Sequence, residues 1–232
     1  MFGFFGRKRL KIESRSICDR GLARNDNQDC LFEDSVRAVF CVADGMGGGQ
    51  GGAMASRMVC EAVGAASPDE VDFERRILKM DAALLQANRL VREQARRLGY
   101  ERMGSTVALL MIDPDEPARA AIASAGDSRV YRRRGVRLEC LTEDHRNSAY
   151  SHLLTKAVGA ADALEPDWVH ASAMPGDIWL LCTDGVHEML PDSTINALIA
   201  RAGSASDIAE RIGECVRRAG ARDNYSIVVV RT

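Results

Sequence analysis

Proline is scarce, at six in 232 residues, and no proline-, serine- or charge-rich stretch divides the chain. Without a linker, residues 10–232 read as one sizeable domain with a proper core. No apolar window reaches the roughly 18 residues that a membrane span requires, so no spanning helix is expected. The opening MFGFFGRKR puts its apolar residues before its charges and has no long apolar region, so a secretory signal is not expected. Residues 1–9 read instead as a flexible tail, with weak peripheral membrane contact as the minor alternative. A charge excess is also missing, and a net charge of −2 gives no reason to expect nucleic acid as a partner. The seven cysteines never form CxxC, and Cys41 and Cys182 fall inside apolar runs. Such cysteines act as small buried hydrophobes suited to a reducing cytoplasm. No His or Cys cluster offers zinc a site.

What the chain does have is an unusual stretch from Val36 to Ser56. Its apolar run, Val39–Ala43, reads as a buried strand that delivers Asp44 to its end. The glycine-dense GMGGGQGG that follows leaves little side-chain bulk and permits close backbone approach. A helix is expected from about Ala53. Asp44 with a backbone carbonyl could hold a metal, or backbone amides could hold a phosphate. A plain glycine turn is the competing reading. The nucleotide P-loop is disfavoured, because Gly52 is followed by Ala53 and Met54 instead of Lys and Ser or Thr.

Upstream, Leu10–Cys18 suits an edge strand and leads into CDRGLARNDNQD. There Arg24 offers a planar fork of donors for a phosphate, although a surface ion pair is the commoner fate of a lone arginine. Asp29 closes this loop at the start of another short strand. Beyond the glycines, one helix is expected to Ala66. Ser67 with Glu70, and Pro68 at the first helical position, announce a second that runs to about Gly99. It should bury Ile77, Met80, Leu84, Ala87, Val91, Ala95 and Leu98 along one face.

STVALLMI, residues 105–112, reads as a strand covered on both faces. Arg119–Ala125 is another, and Val130–Arg134 with Val136–Leu141 form a hairpin about Gly135. Asp127 sits in the turn between them. The basic cluster of Arg132, Arg133, Arg134 and Arg137 reads as solvating that hairpin, with attraction of an acidic or phosphorylated partner as the alternative. Strands over Leu164–Ser172 and Gly176–Cys182 follow, and the second ends in Asp184-Gly185 as the earlier one ends in Asp44-Gly45. Amphipathic helices near Pro191–Ala202 and Ser204–Ala219 precede the last buried strand, SIVVV, which begins just after Asp223.

Asp44, Asp184 and Asp223 thus stand beside apolar strands, and Asp29 and Asp127 add two more carboxylates. Oxygen ligands of this kind suit hard divalent ions such as Mg²⁺ or Mn²⁺. Two such ions sharing a carboxylate acidify a water held between them and aim it at phosphorus, which is the chemistry of phosphate-ester hydrolysis.

The motifs CDRGLARNDNQD, ADGMGG, GST, AGDSRVY, LTEDH, LTKAVG, CTDG and RDNYSIVVV follow one another from about Leu10 to Val230. In that order the sequence resembles the metal-dependent protein phosphatases of type 2C, in their bacterial branch. The resemblance implies an α+β fold, a four-layer sandwich in which two central antiparallel β-sheets are flanked by α-helices. It also implies a centre of two Mn²⁺ or Mg²⁺ ions, with phosphoserine and phosphothreonine proteins as substrates.

By the same resemblance, Asp44 bridges both ions, Gly45 supplies a backbone carbonyl, and Asp184 and Asp223 complete the metal set. Asp29 holds metal-bound water, Arg24 grips the substrate phosphate, and Asp127 belongs to a third, weaker ion site. The partners implied are targets of a Ser/Thr kinase, met by a cytoplasmic monomer, and the helix ASRMVCEAV is similar to a subgroup acting on type VI secretion assembly. A phosphoprotein-binding pseudophosphatase without turnover is the alternative, and a small-molecule phosphoesterase is a third reading.

Three departures from the family pattern stand out. Met46 replaces the histidine of animal members, so leaving-group protonation falls to water or another residue. Gln28 replaces a Glu of many members and removes one charge near the metals. Bacterial relatives usually carry a flap of roughly two dozen residues between LTEDH and LTKAVG, where here only residues 146–152 intervene. A more open substrate groove and altered selectivity are expected.

Overall fold

In β3 (Val39–Met46), Val39, Cys41 and Ala43 face one apolar layer while Phe40 and Val42 face another, and all five are fully buried. Side chains alternate along a strand, so a strand apolar on both faces must lie between two packed layers. The same alternation splits β5 (Val107–Ile112), β10 (Ile178–Cys182) and β11 (Tyr225–Arg231) between layers. This pattern generates the architecture. The computed structural model describes residues 9–67, 72–113, 119–148, 150 and 153–232.

One sheet runs in the order β1 (Glu13–Asp19), β11, β10, β7 (Arg129–Arg134), β8 (Arg137–Cys140). The other runs β2 (Asp29–Asp34), β3, β5, β6 (Ala120–Ala125), β9 (Asp167–Ala171), and the short β4 (Gly104–Ser105) pairs with the end of β3. Every pairing among these strands is antiparallel. The sheets face each other across Phe40, Val42, Leu110, Ile122, Trp179, Leu181, Val228 and Val230. Truncating a residue such as Phe40 in this layer should cost roughly 3–5 kcal/mol.

Helices α1 (Gly49–Ala66) and α2 (Phe73–Leu98) cover the outer face of the β3 sheet through Val59, Val63, Met80, Leu84 and Val91. The short α3 (Asp184–His187), α4 (Asp192–Ala200) and α5 (Ala205–Arg218) cover the other sheet through Val186, Ile195, Ile208, Ile212 and Val216. The result is the expected four-layer α+β sandwich. Among the described residues no helix is long and apolar enough to cross a membrane, and all seven cysteines are free.

Several boundaries differ from expectation. α1 begins at Gly49, not Ala53, because tertiary contact overrides the low helix propensity of glycine. A Cβ on Gly52 would lie 2.7 Å from the Gly45 carbonyl oxygen, so only glycine lets this helix end approach β3 so closely. Ser67 closes α1, its N–H donating to Gly64 O, and α2 is capped by Asp72, whose side chain accepts from Arg75 N at 2.9 Å. Pro68 and Glu70 lie outside the described residues, as do residues 1–8 of the expected tail. Leu98, the last residue of α2 before its Gly99 cap, is exposed instead of buried.

The basic cluster is engaged within the chain. Arg134 grips Asp177 at 2.6 and 2.7 Å, Arg132 pairs with Glu139 at 2.8 Å and Arg133 donates to Asn196 at 3.1 Å.

Candidate active site

Both sheets end at one edge, and there the acidic strand ends meet. Asp44 is fixed by its backbone: its N–H donates to Thr106 Oγ1 at 2.8 Å, and its carbonyl accepts from Thr106 N–H at 2.8 Å. Thr106 Oγ1 is shared with Ser128 Oγ at 2.7 Å. This pairing interrupts the strand expected over 105–112 and splits it into β4 and β5. Gly45 must be glycine, because an added Cβ would stand 2.1 Å from Gly52 O. With its amide oriented to satisfy both neighbours, Gln28 donates to Gly45 O at 3.0 Å and accepts from Gly49 N–H at 3.2 Å.

Asp184 opens α3 directly after β10. Its following glycine has the same origin as Gly45, since a Cβ at Gly185 would stand 1.9 Å from Asn224 O. Asp223 precedes β11, and its Oδ2 is 2.6 Å from the Arg24 guanidinium. Asn224 ties the arginine loop to this point: its Oδ1 accepts from Gln28 N–H at 2.8 Å, and its Nδ2 donates to Arg20 O and Asp26 O at 2.8 and 2.9 Å. Asp29 lies behind Asp44 as its cross-strand partner, and its Oδ2 accepts from Thr183 Oγ1 at 2.8 Å.

Asp127 sits in the turn before β7. His187 Nε2 donates to its backbone carbonyl at 2.9 Å, and Arg146 Nε donates to its Oδ2 at 2.7 Å. Arg146 belongs to a short hairpin in which Arg146 pairs with Leu154, Asn147 N–H donates to Leu153 O and Thr155 N–H donates to His145 O, the last two at 2.8 Å. Of the segment expected to be a curtailed flap, Ala149, Ser151 and His152 lie outside the described residues.

Arg24, Gln28, Asp44, Gly45, Asp184 and Asp223 line one cavity of about 270 Å³. Asp44 and Asp184 also line an adjoining cavity of about 690 Å³, which Asp127 joins. The structure therefore brings together every sequence-predicted site residue, with Asp29 buried just behind the rest. Such crowding is costly without cations. Burial, then the charges of Asp29, Asp127 and Asp223, push the Asp44 carboxyl well above its usual range, and burial followed by Asp44 and Asp127 does the same to Asp184. Burial raises Asp29 to about 7. Its Oδ1 is buried without a hydrogen-bond partner.

These features fit hard divalent cations. The donors are all oxygen, their mutual repulsion asks for positive charge, and one buried carboxylate oxygen lacks a donor. Among the described residues no three His, Cys, Asp or Glu side chains close into a tight cage by themselves. The carboxylates ring a cavity instead, which suits Mg²⁺ or Mn²⁺ that keep part of their water.

A profile of the protein phosphatase 2C family matches residues 15–223. The chain belongs to that family. Serine/threonine protein phosphatase PstP of Mycobacterium tuberculosis is 29% identical over 238 residues, which span 95% of this chain and 44% of PstP. The chain thus spans less than half the length of that relative. Protein phosphatase PhpP of Streptococcus pneumoniae is 27% identical over 241 residues, 94% of this chain and 97% of PhpP. Among solved structures, PppA, a key regulatory component of T6SS in Pseudomonas aeruginosa, superposes with a TM-score of 0.91 at 29% identity, covering 96% of this chain and 98% of PppA. The catalytic domain of PstP in complex with two manganese ions gives 0.85 at 28% identity, covering 95% and 97%. A dinuclear metal site is thus present in a phosphatase 2C relative.

Sequence reasoning missed several residues that shape this phosphatase 2C site. Thr106, Thr183 and Asn224 fall inside the quoted motifs GST, CTDG and RDNYSIVVV, but their roles lie in contacts 62, 154 and 196 residues apart in sequence. Arg146 gave no signal, because nothing local distinguishes it from a surface arginine.

Proposed function

We propose that the chain is a metal-dependent protein serine/threonine phosphatase, hydrolysing phosphoserine and phosphothreonine at a centre of two Mn²⁺ or Mg²⁺ ions. The observation that carries this reading is the convergence of Asp44, Gly45, Asp184 and Asp223 with Arg24 on one polar cavity. Asp44, the Gly45 carbonyl, Asp184 and Asp223 would hold the ions, which when bound acidify water and neutralise phosphate charge. Arg24, with its side chain 54% exposed, orients the phosphate through the donors that Asp223 leaves free. Asp29 stands within reach as a proton-holding carboxyl behind Asp44. Among the described residues no histidine lines either cavity, and Met46 stands where animal members carry one, so the proton for the leaving oxygen comes from water or another residue.

The larger cavity supports a protein substrate. It leads from Asp44 and Asp184 past Tyr100, Met103, Leu153 and Leu154 to Arg92, Arg96 and Arg102. A groove this open admits an extended peptide, and its arginines favour acidic residues beside the phosphate. The substrates are proposed to be targets of a Ser/Thr kinase, met by a monomer in the cytoplasm, where the free cysteines are stable. Likeness to PppA supports a role in controlling type VI secretion.

Turnover of p-nitrophenyl phosphate and of a phosphothreonine peptide, with Mn²⁺ and with EDTA, tests the proposal. Metal-dependent release of phosphate from both is expected. Peptide binding without turnover at any Mn²⁺ concentration would reinstate the pseudophosphatase, and turnover of the small ester alone would point to a small-molecule phosphoesterase.

A further inference from the structure

Beside the proposed metal centre, three carboxylates converge on a single guanidinium. Arg146 Nε lies 2.7 Å from Asp127 Oδ2, its Nη1 is 2.5 Å from Glu188 Oε1, and its Nη2 is 3.5 Å from Asp184 Oδ2. Each nitrogen serves a different acid. Only 22% of the Arg146 side chain and 8% of the Asp127 side chain are exposed, whereas Glu188 is 51% exposed and faces water.

Three carboxylates from separate elements, the turn before β7, the start of α3 and the residue after α3, are thus drawn to one point, where their charges call for a cation. Here the chain supplies the cation itself. The guanidinium is planar, always charged, and carries five donors in a fixed fork, so it can satisfy several acids at once.

The backbone holds it there. Arg146 pairs with Leu154, and Asn147 and Thr155 donate across the hairpin to Leu153 and His145. At the base, His145 Nε2 is 2.6 Å from Asp167 Oδ2, and Lys156 pairs with the other oxygen of that carboxylate. The hairpin is therefore clamped to β9, and Arg146 is aimed at Asp127 from a fixed base. On its other strand, Leu153 and Leu154 line the large cavity.

We propose that Arg146 is a tethered cation that takes the place of a further divalent ion among Asp127, Asp184 and Glu188, limiting the chain to two metal ions. A divalent ion approaching Asp127 Oδ2 would compete with the Nε–H already bonded to that oxygen, and a dication brought beside the guanidinium meets Coulomb repulsion. Because the guanidinium is covalently attached, this corner of the site keeps one compensating positive charge at any metal concentration. Arg146 is accordingly a positioning residue for Asp127 and Asp184. The inference rests on the two-metal reading above.

The test is the Mn²⁺ stoichiometry of the chelator-stripped full chain, read by calorimetry and by the EPR signal of free Mn²⁺. Wild type should bind two ions per chain up to millimolar Mn²⁺. Arg146→Gln and Arg146→Ala should each bind a third, weaker ion, and adding Glu188→Gln to either should remove it. Circular dichroism identifies which variants fold, and a folded single variant that still binds two ions overturns the inference. Three ions on wild type overturn it without any variant. Fewer than two ions on wild type defeats the two-metal reading instead, so the two failures are distinguishable.

Discussion

Arg24 and Asp223 hold each other in an ion pair 2.6 Å long, although they come from opposite ends of the chain and were assigned to different tasks. Asp223 and the neighbouring Asp44 and Asp184 keep the arginine firmly protonated, with the Asp223 hydrogen bond as the largest cause. A bound phosphate adds to this arrangement without displacing it, because the guanidinium has donors to spare. Arg24→Ala should raise KM for a phosphopeptide on the order of 10- to 100-fold, the value of a lost charge-assisted hydrogen bond. Mn²⁺ affinity should change little. Loss of Mn²⁺ binding at unchanged KM would mean that Arg24 merely props up Asp223.

The metal-free protein should become less stable as pH rises. Asp29 is raised in the fold from 3.8 to about 7, chiefly by burial, so across that interval the folded state keeps a proton that the unfolded chain has released. Its favourable contribution is greatest below the lower value and is lost as pH passes the upper one. Asp44 and Asp184 shift in the same direction. The melting midpoint in EDTA should therefore decline as pH rises from about 4 to about 7, and added Mn²⁺ should restore it most at the upper end. Asp29→Asn should flatten the EDTA profile. A midpoint that climbs over the same interval would contradict the assignment.

Thr106 anchors the Asp44 backbone from both sides. Thr106→Val keeps the shape but leaves the Asp44 N–H without its acceptor, at a cost of about 1–3 kcal/mol. The variant should melt earlier and lose kcat more than KM, because Asp44 is loosened while the phosphate clamp is untouched. An unchanged melting curve would show that water replaces the hydroxyl without penalty.

Selectivity should reside in the arginine-lined groove. Arg96, with 70% of its side chain exposed, and the exposed Arg102 face the cavity that leads away from the metal centre. Charge reversal of both should raise KM for phosphopeptides with acidic flanks, most strongly at low salt, and leave p-nitrophenyl phosphate turnover as it was. Equal effects on both substrates would place these residues elsewhere in the mechanism.

The parts of the site legible in the sequence were those with a local signature. An apolar run ending in Asp-Gly marks a buried strand that delivers a carboxylate, and Gly45 and Gly185 are dictated by backbone approaches of 2.1 and 1.9 Å. The four layers came from the family resemblance, and the strand pattern by itself marked residues 105–112 as covered on both faces. What stayed hidden depends on distant partners. Ser67 and Glu70 match a capping box as well as Asp72 matches a cap, and nothing in the local pattern tells which one heads α2, which Asp72 caps. α3 is four residues long, too short for periodicity to register. Arg146 finds its acids 19 and 42 residues away, and no spacing rule reaches that far.

The central claim is that Asp44, Asp184 and Asp223 surround a pair of hard cations, and anomalous scattering from Mn²⁺-soaked crystals addresses it most directly. Two manganese peaks about 3.5–4 Å apart, both within coordinating distance of Asp44, are expected in the cavity that Arg24 borders. A map with no peak there at saturating Mn²⁺, or with a single peak that leaves Asp44 untouched, would contradict the account.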